Sequence, residues 1–225
     1  MNLKLHHMRE IEPMTDNQQE VFKSWDDGNN LVLSGSAGSG KTFCALYLAL
    51  EEVLGDNVSQ NKVLICRSAV PTKEIGFLPG TLEEKMEAYT IPYKQICSNL
   101  FEDPLAYPKL VSQDKVEFVS TSHIRGLTFD DTILIVDEMQ NLNFHELDSI
   151  ITRVGNNCRV ILCGDYYQSD LVKNSDREGI LQFMQILEHL NRFTITEFTW
   201  SDIVRSDFVR DYIMTKEMLM KGNKK

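Results

Sequence analysis

The sequence contains few cysteines, and none of them has the spacing of a metal site or a redox pair. The five cysteines are odd in number, and no two of them form a C-x-x-C motif. This pattern argues against a disulfide framework and against a cysteine-based zinc site. Since four of them lie in or beside apolar segments, we expect reduced core thiols in a cytoplasmic protein, or in the host cytoplasm if the protein is viral. The cysteines are Cys44, Cys66, Cys97, Cys158 and Cys163.

The sequence also lacks a long apolar run and an excess of positive charge. No segment reaches the roughly 20 apolar residues that a membrane-spanning helix needs, and residues 1–10 lack the apolar core of a signal peptide. We therefore expect no association with a membrane. The net charge of -10 excludes a globally basic surface, which weakens a nucleic-acid role but leaves room for local basic patches.

The apolar content is sufficient for one large domain. Of 225 residues, 42% are hydrophobic, which suits one α/β core with an elaboration but not two such cores. We expect an N-terminal extension over residues 1–14, a single domain over residues 15–220 and a frayed tail over residues 221–225. Residues 68–112 hold five of the six prolines and are expected to form an irregular insertion or a functional elaboration.

Six short apolar runs with β-propensity recur along the chain and predict six strands. Segments with helical spacing separate most of them, notably residues 144–154, with the capping pair Asn143 and Glu146, and residues 181–190. This alternation, with strands as continuously apolar as residues 133–136, predicts a mainly parallel sheet covered by helices on both faces. The predicted strands are residues 31–33, 63–66, 116–119, 133–136, 159–163 and 194–198.

Residues 35–42 read GSAGSGKT, a complete match to the phosphate-loop pattern G-x-x-x-x-G-K-S/T. A predicted strand precedes this phosphate loop and an apolar helical segment follows it, which is the setting that the pattern requires. Glycine lets the backbone N–H groups approach a phosphate, and the start of the helix favours negative charge. Lys41 is expected to contact the β- and γ-phosphates, and Thr42 to ligate Mg²⁺. The expected nucleotide-binding residues of the loop are Gly35, Ser36, Ala37, Gly38, Ser39, Gly40, Lys41 and Thr42.

Three further segments complete a candidate nucleotide site. Asp137 and Glu138 follow the fourth predicted strand, where Asp137 can hold Mg²⁺ and Glu138 can polarise the attacking water. Gln168 follows the fifth strand and can sense the γ-phosphate or position the water. Gln18 stands before a short helix and can bond adenine through both ends of its amide. The plainer alternatives are a polar turn for Gln168 and an exposed surface side chain for Gln18.

With these motifs in order, the chain resembles the PhoH-like family of ATPases, relatives of superfamily-one helicases. Five segments carry the resemblance, and it spans about residues 15–213. They are GFLPG at 76–80, RGLT at 125–128, DEMQN at 137–141, GDYYQ at 164–168 and DIVRS at 202–206. Ser68, Leu127 and Met139 depart from the family pattern, and Leu127 removes an arginine that could contact phosphate or RNA.

The resemblance implies a single RecA-like α/β domain that hydrolyses ATP with Mg²⁺ and acts on RNA. It implies catalytic roles for Lys41, Glu138, Gln168 and Arg205, and it adds Arg67 to the expected nucleotide contacts. Other members of the family often carry a nuclease-like or KH-type domain, which is not expected in a chain of this length.

Three functional classes remain open. The leading hypothesis is a Mg²⁺-dependent ATPase coupled to RNA or single-stranded nucleic acid. The alternatives are a nucleotide-gated assembly protein and a small-molecule kinase, which the DEMQN and GDYYQ motifs fit poorly. The basic and aromatic residues within residues 67–125 fit a strand-binding groove as well as they fit ordinary surface and core.

The presence of one RecA-like domain raises the question of an arginine finger. Superfamily-one helicases bind ATP between two such domains, and the second domain supplies an arginine to the γ-phosphate. We therefore predict a head-to-tail homo-oligomer, expected to be a closed ring, in which Arg205 reaches the ATP of the next subunit. The alternatives are an ion pair of Arg205 with Asp202 or Asp207, or action within its own subunit.

Overall fold

The computed structural model describes residues 2–56, 58–68, 82–124, 126–165 and 174–222, in which six strands form one parallel sheet. The order across the sheet is β3-β2-β4-β5-β1-β6, and every neighbouring pair is parallel. All six predicted strands are confirmed, with ends displaced by no more than two residues. The strands are β1 Asn30–Gly35, β2 Lys62–Arg67, β3 Val116–Ser120, β4 Thr132–Asp137, β5 Arg159–Gly164 and β6 Phe193–Phe198.

Helices cover both faces of this sheet, as the alternating pattern predicts. On β1, Leu31 and Leu33 join a core with α1 to α4, whereas Val32 joins the opposite core with α5 and α6. The helices are α1 Asp16–Asp26, α2 Lys41–Leu54, α3 Leu82–Phe101, α4 Ala106–Ser112, α5 Phe144–Ile151, α6 Asn174–His189 and α7 Asp207–Gly222. Among the residues in these described ranges, no helix has the length and apolarity needed to cross a lipid bilayer.

Helix α5 begins as predicted but ends early. Asn143 caps it and exchanges hydrogen bonds with Glu146, which confirms the predicted capping box. The helix stops at Ile151, so the prediction that it extends to Val154 is wrong. Val154 instead forms an isolated parallel bridge with Phe129, which adds a backbone contact that helical periodicity does not encode.

Helix α6 buries only part of the apolar stripe predicted within residues 181–190. Ile180, Phe183, Met184 and Leu187 lie in the core, whereas Leu181, Ile186 and Leu190 are exposed. The predicted stripe, Leu181, Met184, Ile186, Leu187 and Leu190, is therefore confirmed at Met184 and Leu187 and wrong at the other three positions. Adjacent leucines and isoleucines on an amphipathic helix leave more than one apolar stripe available, and packing against the sheet selects one of them.

The proline-rich stretch is not irregular where the structure describes it. Residues 82–101 and 106–112 form α3 and α4, although Pro92 lies inside α3. The helix continues through Pro92 because Tyr93, Cys97 and Leu100 are buried at helical spacing on the core side. The prediction of an irregular stretch is therefore wrong for these residues, because tertiary burial outweighs the local penalty of one proline.

The five cysteines are free thiols, and only Cys158 is not fully buried. Burial raises the pKa of Cys44, Cys66 and Cys97 to about 12. These thiols are therefore protonated near neutral pH and act as small apolar core groups, as the sequence predicts.

Candidate nucleotide-binding site

The phosphate loop connects the end of β1 to the start of α2, at the carboxyl edge of the sheet. Gly35 has φ of +121°, and a Cβ built on it would lie 1.9 Å from the carbonyl oxygen of Phe198 in β6. Gly40 has φ of +85° and is the N-cap of α2. The first position admits no side chain and the second favours glycine, which explains why the loop needs these residues. The carboxyl edge of a parallel sheet is where such folds bind ligands.

Lys41 is the cation of the loop and lies within it. Its Nζ donates to the carbonyl oxygens of Gly35 at 2.8 Å and Ser36 at 2.7 Å. Burial lowers the pKa of Lys41, while the nearby carboxylates of Asp165, Glu138 and Asp137 act to raise it. The ammonium group therefore sits where one loop and several acidic side chains converge.

Asp137 brings the second motif to the phosphate loop. Although β5 lies between β1 and β4, the Thr42 hydroxyl donates to Asp137 Oδ1 at 2.9 Å across 95 residues of sequence. The buried hydroxyl of Tyr93 donates to Oδ2 of the same carboxylate at 2.7 Å. Burial raises the pKa of Asp137, and the hydrogen bonds from Tyr93 and Thr42 oppose that rise. Both carboxylate oxygens are thus held by hydroxyl groups. Tyr93 was not predicted as a site residue, because nothing in its local sequence distinguishes it from core.

Arg67 ends β2 directly opposite Asp137 in the register of the sheet. Its guanidinium lies 5.7 Å from the centre of the Tyr89 ring. Burial acts to lower the pKa of Arg67. The nearby Tyr93, Asp137 and Glu138 raise it by a larger amount, so the net shift is upward. Arg67 is not among the residues that line the site cavity. This placement favours a role in holding the acidic residues over the predicted direct contact with nucleotide.

Glu138 has an unusual backbone conformation next to Asp137. Its φ of 55° and ψ of 43° are left-handed, which costs a residue other than glycine about 1–2 kcal/mol. Gln140 donates through Nε2 to Glu138 Oε2 at 2.5 Å and accepts through Oε1 from the backbone N–H of Asp165 at 3.2 Å. A Cβ on Gly164 would lie 2.4 Å from that same Oε1. Gln140 therefore joins the DEMQN turn to the end of β5, a link that the sequence did not predict.

Gln18 lies in the first turn of α1 and is buried behind the phosphate loop. Only 5% of its surface is exposed, so the alternative of an exposed surface side chain is wrong. Its Nε2 donates to the carbonyl of Ser39 at 3.3 Å, and its Oε1 accepts from the backbone N–H of Met14 at 2.8 Å. Each end of an amide has a second donor or acceptor site, so contact with adenine stays a prediction.

Arg205 lies against the phosphate loop of its own chain. A Cβ built on Gly38 would be 3.2 Å from Arg205 Cγ and 3.4 Å from Cδ1 of Ile213 in α7. The backbone N–H of Val204 donates to the carbonyl of Gly38 at 3.3 Å. Arg205 makes no ion pair with Asp202 or Asp207: Asp207 pairs with Arg210, and Asp202 accepts hydrogen bonds from Asn17 and Thr199. The contact with Gly38 favours the alternative in which Arg205 acts within its own subunit.

One cavity is lined by six of the predicted residues, namely Gly35, Ala37, Lys41, Thr42, Asp137 and Glu138. Its lining also includes Asp165 and Lys216, and Lys216 comes from α7. Gln168, the GFLPG segment and Arg125 lie outside the described residues.

Several of the residues predicted to form a strand-binding groove are buried or paired where the structure describes them between 67 and 124. The aromatic side chains of Tyr93, Phe101 and Tyr107 are buried in the core. Lys94 pairs with Glu87 at 2.7 Å, and Lys109 pairs with Asp103 at 2.5 Å. For these residues, the alternative of ordinary core and surface fits better than a base-stacking platform.

Comparisons with known proteins agree with this geometry. A family model described as PhoH-like protein matches residues 10–216. The chain is 31% identical over 214 residues to a PhoH-like protein of Mycobacterium leprae, which covers 95% of this chain and 60% of the relative. The chain thus spans about 60% of the length of that relative.

Two solved structures share the fold at low sequence identity. The large terminase of a thermophilic bacteriophage, in complex with ADP, has a TM-score of 0.53 and 13% identity, over 89% of this chain and 49% of that one. The DUF1998 helicase MrfA bound to DNA has a TM-score of 0.50 and 12% identity, over 82% of this chain and 27% of that one. Together with the family match, these findings show that the chain has a RecA-like phosphate-loop NTPase fold and belongs to the PhoH-like family.

Proposed function

We propose that the protein is a Mg²⁺-dependent ATPase that couples hydrolysis to RNA or single-stranded nucleic acid. The observation that supports this most strongly is the hydrogen bond between Thr42 Oγ1 and Asp137 Oδ1 at 2.9 Å. It joins the phosphate loop to the acidic end of β4, which is the pairing that phosphate-loop enzymes use to hold Mg²⁺ beside the phosphates.

The chemistry of these two side chains fits Mg²⁺. Both present oxygen atoms, the donor type that Mg²⁺ prefers, and the ion completes its shell with water and phosphate oxygens in such sites. Thr42 and Asp137 would hold the ion, which would neutralise charge on the phosphates when bound. The hydrogen bond from Tyr93 leaves the Asp137 carboxylate fixed in orientation, so the ligand is already in place before any nucleotide binds.

The protein's own groups have separate roles in hydrolysis. Lys41 would exchange its loop carbonyl partners for phosphate oxygens and stabilise their charge as the γ-phosphate leaves. Glu138 would accept a proton from the attacking water, because its carboxylate adjoins the metal-binding acid. Gln140, which donates to Glu138 and accepts from Asp165, would hold that base in position.

The nucleic-acid part of the proposal has a different basis from the ATPase part. It draws on the family membership and on the fold shared with a helicase whose structure was solved bound to DNA. The net charge of -10 and the burial or pairing of most basic and aromatic residues described between 67 and 124 oppose a large binding groove there. Any strand-binding surface must therefore be local.

Phosphate release from ATP tests both parts. The rate is measured with and without Mg²⁺, and then with added RNA, single-stranded DNA and duplex DNA. We expect release that requires Mg²⁺ and rises with one of the single-stranded polymers. Release that no polymer changes would support a nucleotide-gated assembly protein instead. Transfer of the phosphate to a small molecule, with no free phosphate, would support a kinase.

A further inference from the structure

Helix α7 packs directly against the phosphate loop. The carboxylate Oε2 of Glu217, in α7, accepts from Ser36 Oγ in the loop at 3.2 Å and from Trp200 Nε1 at 2.7 Å. Glu217 is only 7% exposed. On the same side of the helix, Ile213 reaches Gly38 of the loop. Because buried charged groups persist only with good partners, these contacts fix the helix on the loop.

The residue before Glu217 faces the nucleotide site. Lys216 lines the cavity together with Lys41, Thr42, Asp137 and Glu138. It forms no ion pair with any residue in the part of the chain that the structure describes. The catalytic roles proposed above leave this lysine unused.

The charges that line the cavity indicate what Lys216 can do there. Among the residues that the structure describes, three carboxylates line it, from Asp137, Glu138 and Asp165, against the ammonium groups of Lys41 and Lys216. A nucleoside triphosphate adds several further negative charges. A second cation therefore lowers the electrostatic cost of binding the terminal phosphate beside these acids, and an ammonium on a flexible stem can reach it as a point charge.

We propose that Lys216 contacts the γ-phosphate of the bound nucleotide and so distinguishes a nucleoside triphosphate from a diphosphate. Lys216 lines the cavity with Asp137 and Glu138, which the proposed function places beside the metal and the attacking water, next to the γ-phosphate. Glu217 is a positioning residue, because it holds α7 against Ser36. This inference rests on the proposed nucleotide site and adds a residue to it.

Binding, not turnover, is the measurement that isolates this role. Titration calorimetry gives Kd for Mg²⁺·ADP and for a non-hydrolysable Mg²⁺·ATP analogue with the intact chain. In Lys216→Met, affinity for the analogue should fall about tenfold, as for the loss of one charge-assisted hydrogen bond, while affinity for ADP changes less than about twofold. The matched control is Lys23→Met, a lysine of α1 that does not line the cavity, and it should bind both nucleotides like the wild type.

Two substitutions at Glu217 test the positioning role. The hydrogen bonds from Ser36 and Trp200 end on Oε2, so Glu217→Gln keeps an acceptor oxygen for them and should retain the preference for the triphosphate. Glu217→Ala removes that oxygen and should lose the preference to the same extent as Lys216→Met. If the alanine variant does not fold, Lys216→Met still tests the role of Lys216. The glutamine variant still tests whether an acceptor oxygen at position 217 is sufficient.

The outcomes separate this inference from the proposed function. If Lys216→Met loses affinity for both nucleotides equally, or for neither, the role of Lys216 is overturned while the nucleotide site stays intact. A wild-type protein that binds neither nucleotide would overturn both. A preference that survives in Glu217→Ala would remove Glu217 from the mechanism but leave Lys216 in it.

Discussion

Substitution of Tyr93 by phenylalanine offers a sharp test of the site. The change removes one hydroxyl and keeps the ring, which lies 5.9 Å from the ring of Phe118. That hydroxyl donates to Asp137, which is 4% exposed, so bulk water cannot readily replace it. Hydrogen bonds to charged groups contribute about 1.5–3 kcal/mol, and about 1 kcal/mol shifts the Tm of a chain of this size by about 2–4 °C. We therefore expect Tm to fall by about 3–12 °C.

The pH dependence of that loss identifies its cause. Burial raises the pKa of Asp137, and the Tyr93 hydroxyl stabilises the ionised form against that rise. The difference in stability between the wild type and Tyr93→Phe is therefore full above the folded-state pKa that Asp137 has in the variant, which is higher than its pKa in the wild type. It shrinks as the pH falls from that pKa to the lower folded-state pKa of the wild type, because a neutral carboxyl group loses less when the donor is removed.

Thermal melting across a pH series measures this, with Tyr107→Phe as the control. Tyr107 is a buried tyrosine of the same core, and its hydroxyl makes no hydrogen bond within the described residues. A titration of Mg²⁺ in the presence of ADP adds a second readout, in which Tyr93→Phe should need more Mg²⁺. A Tm within about 1 °C of the wild type, with an unchanged Mg²⁺ titration, would refute the argument that Tyr93 holds Asp137.

Substitutions at four other residues test the roles assigned to them. Lys41→Ala should nearly abolish phosphate release, and near-normal release would rule out the phosphate-loop role. Glu138→Gln should keep ATP affinity and lose turnover, because an amide cannot accept the proton of water; parallel loss of both in titration and steady-state assays would reassign Glu138. Gln18→Ala should weaken ATP more than GTP in competition binding, and an unchanged preference would leave Gln18 a purely structural residue. Because Arg205 contacts Gly38 of its own chain, mixed Arg205→Ala and Lys41→Ala proteins should stay inactive while subunits exchange, whereas recovered activity would establish a finger acting between subunits.

The strands and the phosphate loop were predictable because their signals are local. Continuous apolar runs such as residues 133–136 encode buried parallel strands, and the octet at residues 35–42 encodes its own loop. Helices were less predictable where tertiary packing determines which residues form them. Pro92 pointed away from a helix that the buried face of α3 nevertheless forms.

The supporting residues of the site were not predictable, because their partners are distant in sequence. Tyr93 lies 44 residues before Asp137, and nothing in its neighbourhood indicates a hydrogen bond to a metal-binding acid. Lys216 is one of several charged residues in an amphipathic helix, and only the docking of α7 places it in the cavity. Arg205 lies in a motif that sequence could assign, but its contact with Gly38 depends on the fold.

The bond between Ser36 and Glu217 also constrains how the protein becomes active during synthesis. The two residues are 181 positions apart, so the bond closes one of the longest loops in the chain. Contacts of such sequence separation form late in folding, because their loop entropy is recovered only when the intervening core exists. At about 5–20 residues per second, the ribosome makes Glu217 about 10–40 s after Ser36. The loop and its acidic partners can therefore assemble on the nascent chain before α7 docks, and the helix would complete the site as a last step of maturation.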